Sequence, residues 1–268
     1  MAGSLVQQKF GAAAADYATS KVHAKGESLA RLVELVGPQR HWRVLDVATG
    51  AGHTALALAP HVARVVASDI TDEMLAEAAM LAAQRGLANV ETVHADAAAL
   101  PFADQSFDLV ACRLAAHHFP DPAAFIAESW RVLKPGGIFA LVDDISPDAS
   151  ILPGASHEEA ERTAADYNRY EKLRDPSHGR CLNLTEWSAL LQCASFGDIR
   201  VERMDQDIAF QPWSQRMRCD AATVAKLKLM LDEPSLNAFL RPRTNEDGLM
   251  FTLQEAIIVA TKPDSGRA

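Results

Sequence analysis

Apolar residues in the first half of the chain come in short runs, each closed by a turn signal. Residues 43–47 (Arg-Val-Leu-Asp-Val) read as a buried strand that runs into a glycine turn. Residues 64–68, 107–112 and 138–143 read as further strands, and residues 90–94 as strand three, ending near Asp96. Between them the apolar positions return at helical spacing. Residues 53–59 predict a helix stopped by Pro60. Met74, Leu75, Ala78 and Leu81 share one face of a helix capped by Thr71 or Asp72 and closed by Gly86. Asp121 and Pro122 supply the cap and first residue of a helix reaching about Leu133, and Pro135-Gly136-Gly137 then turns the chain. This alternation predicts βαβ units, hence a parallel sheet with helices on both faces.

After Asp144 the rhythm changes. Residues 156–174 predict a charged helix, and residues 185–196 an amphipathic one with Thr185 as cap and Gly197 as stop. Residues 198–210 and 249–262 predict two strands, an antiparallel pair at one sheet edge, separated by some forty helical residues. The Ala12–Ala15 run is helical. With 268 residues, 49% of them hydrophobic, the chain can build one α/β domain over 1–268. Its core is expected at about 27–145, 184–210 and 249–262, with cap segments at about 1–26, 146–183 and 211–248.

The net charge of −9 argues against a nucleic-acid partner, which calls for a basic face. No apolar run approaches the roughly 20 residues of a membrane span, and no secretory leader is apparent, so a cytoplasmic location is expected. Cys112, Cys181, Cys193 and Cys219 are scattered without a C-x-x-C pair, so no metal site is expected. A small-molecule substrate is the partner that remains, and a homodimer is compatible with the sequence.

Candidate chemistry centres on the first turn. Gly50 and Gly52 lack Cβ atoms, so the backbone can turn sharply and a ligand can lie against it. Asp69 ends the next strand, where a carboxylate can accept both hydroxyls of an adenosine ribose. The run Gly50-Ala51-Gly52-His53-Thr54-Ala55 also matches the G-x-G-x-x-G/A pattern of nicotinamide sites. A dinucleotide brings a pyrophosphate, which favours bare amides, whereas S-adenosylmethionine brings a sulfonium and an amino group, which favour carboxylates. Asp46 is such a carboxylate, unless it only satisfies local amides. At the end of strand three, Asp96 can accept from an adenine amino group while the Ala97 amide donates to the ring; a simple turn is the other reading.

The set Leu45-Asp46-Val47-Ala48-Thr49-Gly50-Ala51-Gly52, Asp69, Asp96-Ala97, Leu100-Pro101-Phe102, Ser106-Phe107-Asp108, His117-His118-Phe119 and Arg131 to Gly137 resembles class I S-adenosylmethionine-dependent methyltransferases of the ubiquinone/menaquinone-biosynthesis type. Leu173-Arg174-Asp175-Pro176-Ser177-His178 is further similar to the YcgJ-like bacterial branch. The family often has glycine where Ala48 stands. The resemblance implies a Rossmann-like, doubly wound sheet of seven strands in the order 3-2-1-4-5-7-6, strand 7 antiparallel, with helical caps. It implies S-adenosyl-L-methionine as cofactor, with Gly50 and Gly52 against it, Asp69 on the ribose, and Asp96 and Ala97 on the adenine between Ile70 and Met74. Arg113 and Leu114 would meet the methionine end, over which Tyr17 and His23 would close.

Methyl transfer is an in-line displacement, for which the protein supplies proximity and alignment. A hydroxyl acceptor must also lose a proton. His117 and His118, just beyond strand four, and Asp143 or Asp144, beyond strand five, are the candidates, since a His held by an Asp is a base near neutrality. Family position favours His118. Arg113-Leu114-Ala115-Ala116 replaces the Asn/Asp-Pro-Pro-Tyr/Phe of amino-directed DNA methyltransferases. O- or C-methylation of a small molecule is therefore expected, against a nicotinamide oxidoreductase or a non-catalytic cofactor-binding module.

Overall fold

The computed structural model describes residues 5–19, 26–246 and 248–264. Helix α1 (Leu5–Thr19) precedes α2 (Glu27–Val36), whose Leu29, Leu32 and Val36 are buried. Gly37 ends α2 in the left-handed region (φ +53°), its amide donating to the Val33 carbonyl. Then come β1 (Arg43–Val47), α3 (His53–Leu58), β2 (Arg64–Asp69), α4 (Asp72–Gln84), β3 (Val90–His94) and β4 (Phe107–Arg113). A 3₁₀ turn, Ala59–His61, follows α3, and another, Ala116–His118, leads to α5 (Pro122–Val132) and β5 (Leu133–Asp144). The second half is α6 (His157–Arg174), α7 (Leu184–Cys193), β6 (Gly197–Ala209), α8 (Phe210–Arg216), α9 (Ala221–Met230), α10 (Pro234–Leu240), β7 (Arg243–Asn245) and β8 (Gly248–Thr261).

The strands form one sheet in the order β3-β2-β1-β4-β5-β8-β6. The first five are parallel, and β8 runs antiparallel to both β5 and β6. This is the expected seven-strand path with one addition. Short β7 pairs with the start of β8, so the reversed strand is eighth in the chain. Alternate residues point to opposite faces. Val44, Val65, Leu109, Ala111 and Val142 pack on one face under Leu32 and Leu58 of α2 and α3. Leu45, Val66, Val110, Phe139 and Leu141 pack on the other with Phe125, Tyr167 and Trp187. Burying each such large apolar side chain contributes about 1.5–3 kcal/mol before entropy is counted.

Several boundaries differ from expectation. Asn183, not Thr185, caps α7, because Asn183 and Glu186 exchange a reciprocal capping box. Thr185 instead donates its hydroxyl to Asp148 at 2.9 Å. Ala82 takes the buried place on α4 with Met74, Leu75 and Ala78, leaving Leu81 half-buried. The strand β5 starts at Leu133, and the Pro135-Gly136-Gly137 turn becomes a slip in the β4–β5 register between Phe107 and Leu109. The predicted helical stretch between the last long strands breaks into α8, α9 and α10, plus β7.

Motif residues far from the glycine turn hold the frame. Arg131 donates to the carbonyls of Leu100 (3.0 Å) and Phe102 (2.7 Å) and pairs with Glu128, fixing the loop before β4. Asp108 accepts from the Arg43 amide and from Lys134, both at 2.8 Å, which ties β1, β4 and β5 at their starts.

Candidate active site

The carboxyl ends of β1 to β5 open on a cavity of about 490 Å³, within the range of roughly 300–1,000 Å³ usual for small-molecule sites. Ala48 (φ +52°) and Leu114 (φ +54°) follow β1 and β4 in left-handed backbone, and both line the cavity. That conformation costs a residue with a Cβ about 1–2 kcal/mol. Both strained residues stand at neighbouring strand ends, β1 and β4, on the cavity wall.

The two glycines of the turn do different work. Gly50 (φ +53°) lines the cavity, and a Cβ there would meet only the Met74 sulfur, 4.0 Å away. Gly52 (φ +87°) faces α4 instead, where a Cβ would lie 2.8 Å from that of Ala78. Gly52 therefore lets the turn pack on α4 and does not line the cavity. Asp46 is also outside the cavity wall. Its Oδ2 accepts the Thr49 hydroxyl (2.5 Å) and the Ala55 amide (3.0 Å), stapling the turn to α3. Burial pushes its carboxyl up to about 7 against the pull of those bonds.

Asp69 reaches the cavity with both oxygens already oriented. Oδ2 accepts the Gly50 amide and Oδ1 the Thr71 amide, each at 2.9 Å. Each oxygen keeps a lone pair, enough for a ribose diol. Ile70 and Met74 line the wall beside it, and Asp96 and Ala97 line it at the end of β3. Asp96 Oδ1 accepts the Ala98 amide at 2.9 Å. Arg113 and Leu114 complete the wall at β4. The Tyr17 side chain and His23 lie outside the described residues. From α1, Val6 and Phe10 line the cavity, and Gln7 donates to the Ile70 carbonyl at 2.9 Å.

Deeper in, His117 and His118 line the cavity on the 3₁₀ turn after β4. His117 Nδ1 lies 2.6 Å from Asp143 Oδ1 at the end of β5. Burial alone would lower the imidazole's proton affinity, but the adjacent Asp143 carboxylate outweighs it and raises the value to about 9. His118 Nδ1 meets the Ser177 carbonyl at 3.2 Å, and Phe10 packs edge-on at 4.9 Å. Burial and the neighbouring His117 cation lower His118 to about 3. His178 stacks on His117 with ring centres 5.5 Å apart, its Nε2 3.0 Å from Asn168 Oδ1.

Apart from Asp144, a candidate base by its place beyond strand five, the rest of the inner wall was not singled out in the sequence as site residues. Asp144, Glu171, Arg174, Asp175, Cys181, Ile208, Trp213, Leu253 and Glu255 line it from β5, α6, the loop after α6, β6, α8 and β8. Arg174 pairs with Glu171 (3.3 Å) and lies over the Trp213 ring at 4.5 Å. One signal for Glu255 was available: it is the lone charged residue of the strand Gly248–Thr261. Glu171, on a helix rich in charge, gave none. Among the described residues no group of three or more His, Cys, Asp or Glu is arranged to hold a metal ion.

A pre-oriented strand-end carboxylate, a bare glycine turn and an acid-rich interior suit a cationic nucleoside. Comparison with known proteins agrees. Residues 45–141 match the methyltransferase domain family. Over 200 residues, 75% of each chain, the protein is 36% identical to the uncharacterized methyltransferase YcgJ of Bacillus subtilis. A demethylmenaquinone methyltransferase of Deinococcus radiodurans is 43% identical over 116 residues, 42% of this chain and 47% of that one. The crystal structure of a Bacillus halodurans protein described as a methyltransferase superposes with a TM-score of 0.80 at 33% identity, covering 89% of this chain and all of that one. The chain belongs to the S-adenosylmethionine-dependent methyltransferases.

Proposed function

We propose that the chain methylates an oxygen or a carbon of a small molecule whose reacting atom sits beside His117. The observation that carries this reading is the His117–Asp143 pair, 2.6 Å apart at the inner end of the cavity. When bound, S-adenosylmethionine supplies an electrophilic methyl group on its sulfonium. Gly50, Asp69, Ile70, Met74, Asp96, Ala97, Arg113 and Leu114 are the residues that would hold it. Asp143 occupies His117 Nδ1, so Nε2 is the nitrogen left for the acceptor. As the imidazolium, His117 donates to an already ionised oxygen; once deprotonated, it takes the proton of a hydroxyl. His118 is the weaker candidate, since no carboxylate holds its Nδ1 and burial beside the His117 cation lowers its proton affinity to about 3, too low for a base near neutrality.

The segments 1–26, 146–183 and 211–248 act as caps over the carboxyl edge. Supporting this, Phe10, Glu171, Arg174, His178 and Trp213 all reach the cavity from them. The likeness to demethylmenaquinone methyltransferases spans 42% of the chain, so it supports the reaction class rather than a quinone acceptor. Among the described residues no helix is long and apolar enough to cross a membrane. The test is turnover of S-adenosylmethionine in a panel of hydroxylated metabolites. An acceptor-dependent rise in S-adenosylhomocysteine that fails in His117→Ala and persists in His118→Ala is expected; the reverse pattern overturns the assignment.

A further inference from the structure

Asp144 and Glu255 stand directly opposite each other in the antiparallel β5–β8 ladder. Opposed residues hold their Cβ atoms about 4.5–5.5 Å apart, and like charges so placed repel. Both line the cavity. Glu255 is only 4% exposed, yet its Oε2 has no hydrogen-bond partner, and neither has Asp144 Oδ1. The groups around the pair do not balance it. Arg113 on β4 and the Ser28 hydroxyl on α2 face Glu255. His117 faces Asp144, but it is committed to Asp143, and Arg174 is committed to Glu171 of α6, the further acid beside the pair. Arg113 balances one carboxylate at most, so two opposed carboxyls that each keep an unpartnered oxygen at the cavity wall can take one further cation with hydrogens to donate.

We propose that Asp144 and Glu255 together form a binding site for a protonated amine. While the site is empty, the two carboxyls keep one proton between them, because two adjacent buried carboxylates cannot both ionise cheaply. Burial raises both groups, and each sits beside a further acid. When the ammonium enters, its own N–H groups satisfy both oxygens, and the shared proton leaves to solvent. Two molecules can bring the amine: the amino-acid end of the cofactor, or the methyl acceptor. Both sources rest on the methyltransferase reading, but the pair's response to an amine can be measured without turnover.

The test is calorimetry of the full chain near neutral pH in two buffers of different ionisation enthalpy, which counts protons released on binding. S-adenosylhomocysteine is compared with methylthioadenosine, which lacks the amino acid, and then methylamine, ethanolamine and phenethylamine are added to cofactor-saturated protein. Release of about one proton with S-adenosylhomocysteine and none with methylthioadenosine assigns the amine to the cofactor. No release from either nucleoside, but about one on adding an amine, assigns it to the acceptor. In either case Asp144→Asn and Glu255→Gln should abolish that release. If one variant does not fold, the comparison of ligands on the wild-type chain decides alone. Equal proton counts for all ligands, or for wild type and variants, overturn the proposal. If S-adenosylhomocysteine itself does not bind, the cofactor reading fails, and the amines alone still test the pair.

Discussion

His117 Nδ1 and Asp143 Oδ1 are 2.6 Å apart, bridging the carboxyl ends of the adjacent strands β4 and β5. Asp143 is buried, its Oδ2 has no other partner, and the pair is protected from solvent. This contact raises the imidazole to about 9, so the free protein near neutrality carries an imidazolium against a carboxylate. For a hydroxyl acceptor, kcat/KM should therefore rise with pH up to about 9, where His117 loses its proton. His117→Ala should lower kcat by roughly 10²–10⁴-fold and remove that limb. A pH–rate profile checks both.

The same pair sets a stability trend. A folded value raised above the ordinary imidazole value of 6.5 stabilises the fold fully below 6.5, and the gain disappears as pH climbs through about 9. The melting temperature of the wild type should fall across that window more than that of Asp143→Asn, in which the carboxylate charge is gone. Thermal unfolding at several pH values measures it, and parallel curves would show that Asp143 does not control the titration.

Gly50 and Gly52 should respond differently to one added methyl group. In Gly52→Ala the new Cβ lies 2.8 Å from Ala78 Cβ at a backbone φ of +87°. A loss of about 1–3 kcal/mol in stability is expected. Gly50→Ala has only the Met74 sulfur nearby, at 4.0 Å, so its Cβ projects into the ligand's space. It should lose affinity for S-adenosylhomocysteine while losing less stability than Gly52→Ala. Chemical denaturation paired with calorimetry separates the two effects.

Gly179 supports His117 from outside the cavity. The amides of Gly179 and Arg180 both donate to the His117 carbonyl at 2.9 Å, and a Cβ on Gly179 would fall 2.8 Å from that oxygen. Gly179→Ala should displace the His117 turn, lowering kcat and shifting the pH profile with little change in cofactor affinity. A KM and kcat comparison with an unshifted pH profile would reduce Gly179 to a packing residue.

Cap segments that close over a ligand should become slower to exchange. Val6 and Phe10 of α1 line the cavity, and Gln7 holds the Ile70 carbonyl. S-adenosylhomocysteine should slow amide exchange in α1 and in residues 157–181 more than in β1 or β2. Equal protection with and without ligand contradicts a cap.

The βαβ half of the fold was legible because β1, β2, β4 and β5 are largely buried and glycine, proline and the Asp121 cap punctuate its elements. The register slip at Pro135-Gly136-Gly137 was not, because ladder pairing is a tertiary property. Asp69 could be placed from its strand-end position alone. Asp46 and Gly52 carry the same motif yet work internally, one stapling α3 and the other clearing α4. Sequence spacing cannot say which side of a turn a residue faces. The proposal of His117 rather than His118 likewise rests on where Asp143 and Ser177 lie, 26 and 59 residues away in the chain.

The cofactor assignment is tested most directly by titrating the purified chain with S-adenosylhomocysteine and, separately, with NAD⁺. One S-adenosylhomocysteine should bind per chain, raising the melting temperature, because the ligand binds only the folded state. Asp69→Ala should weaken that binding by about 1.5–3 kcal/mol, the worth of hydrogen bonds to a charged acceptor, and NAD⁺ should give no heat. Binding of NAD⁺ without S-adenosylhomocysteine, or full S-adenosylhomocysteine affinity in Asp69→Ala, would contradict the site described above.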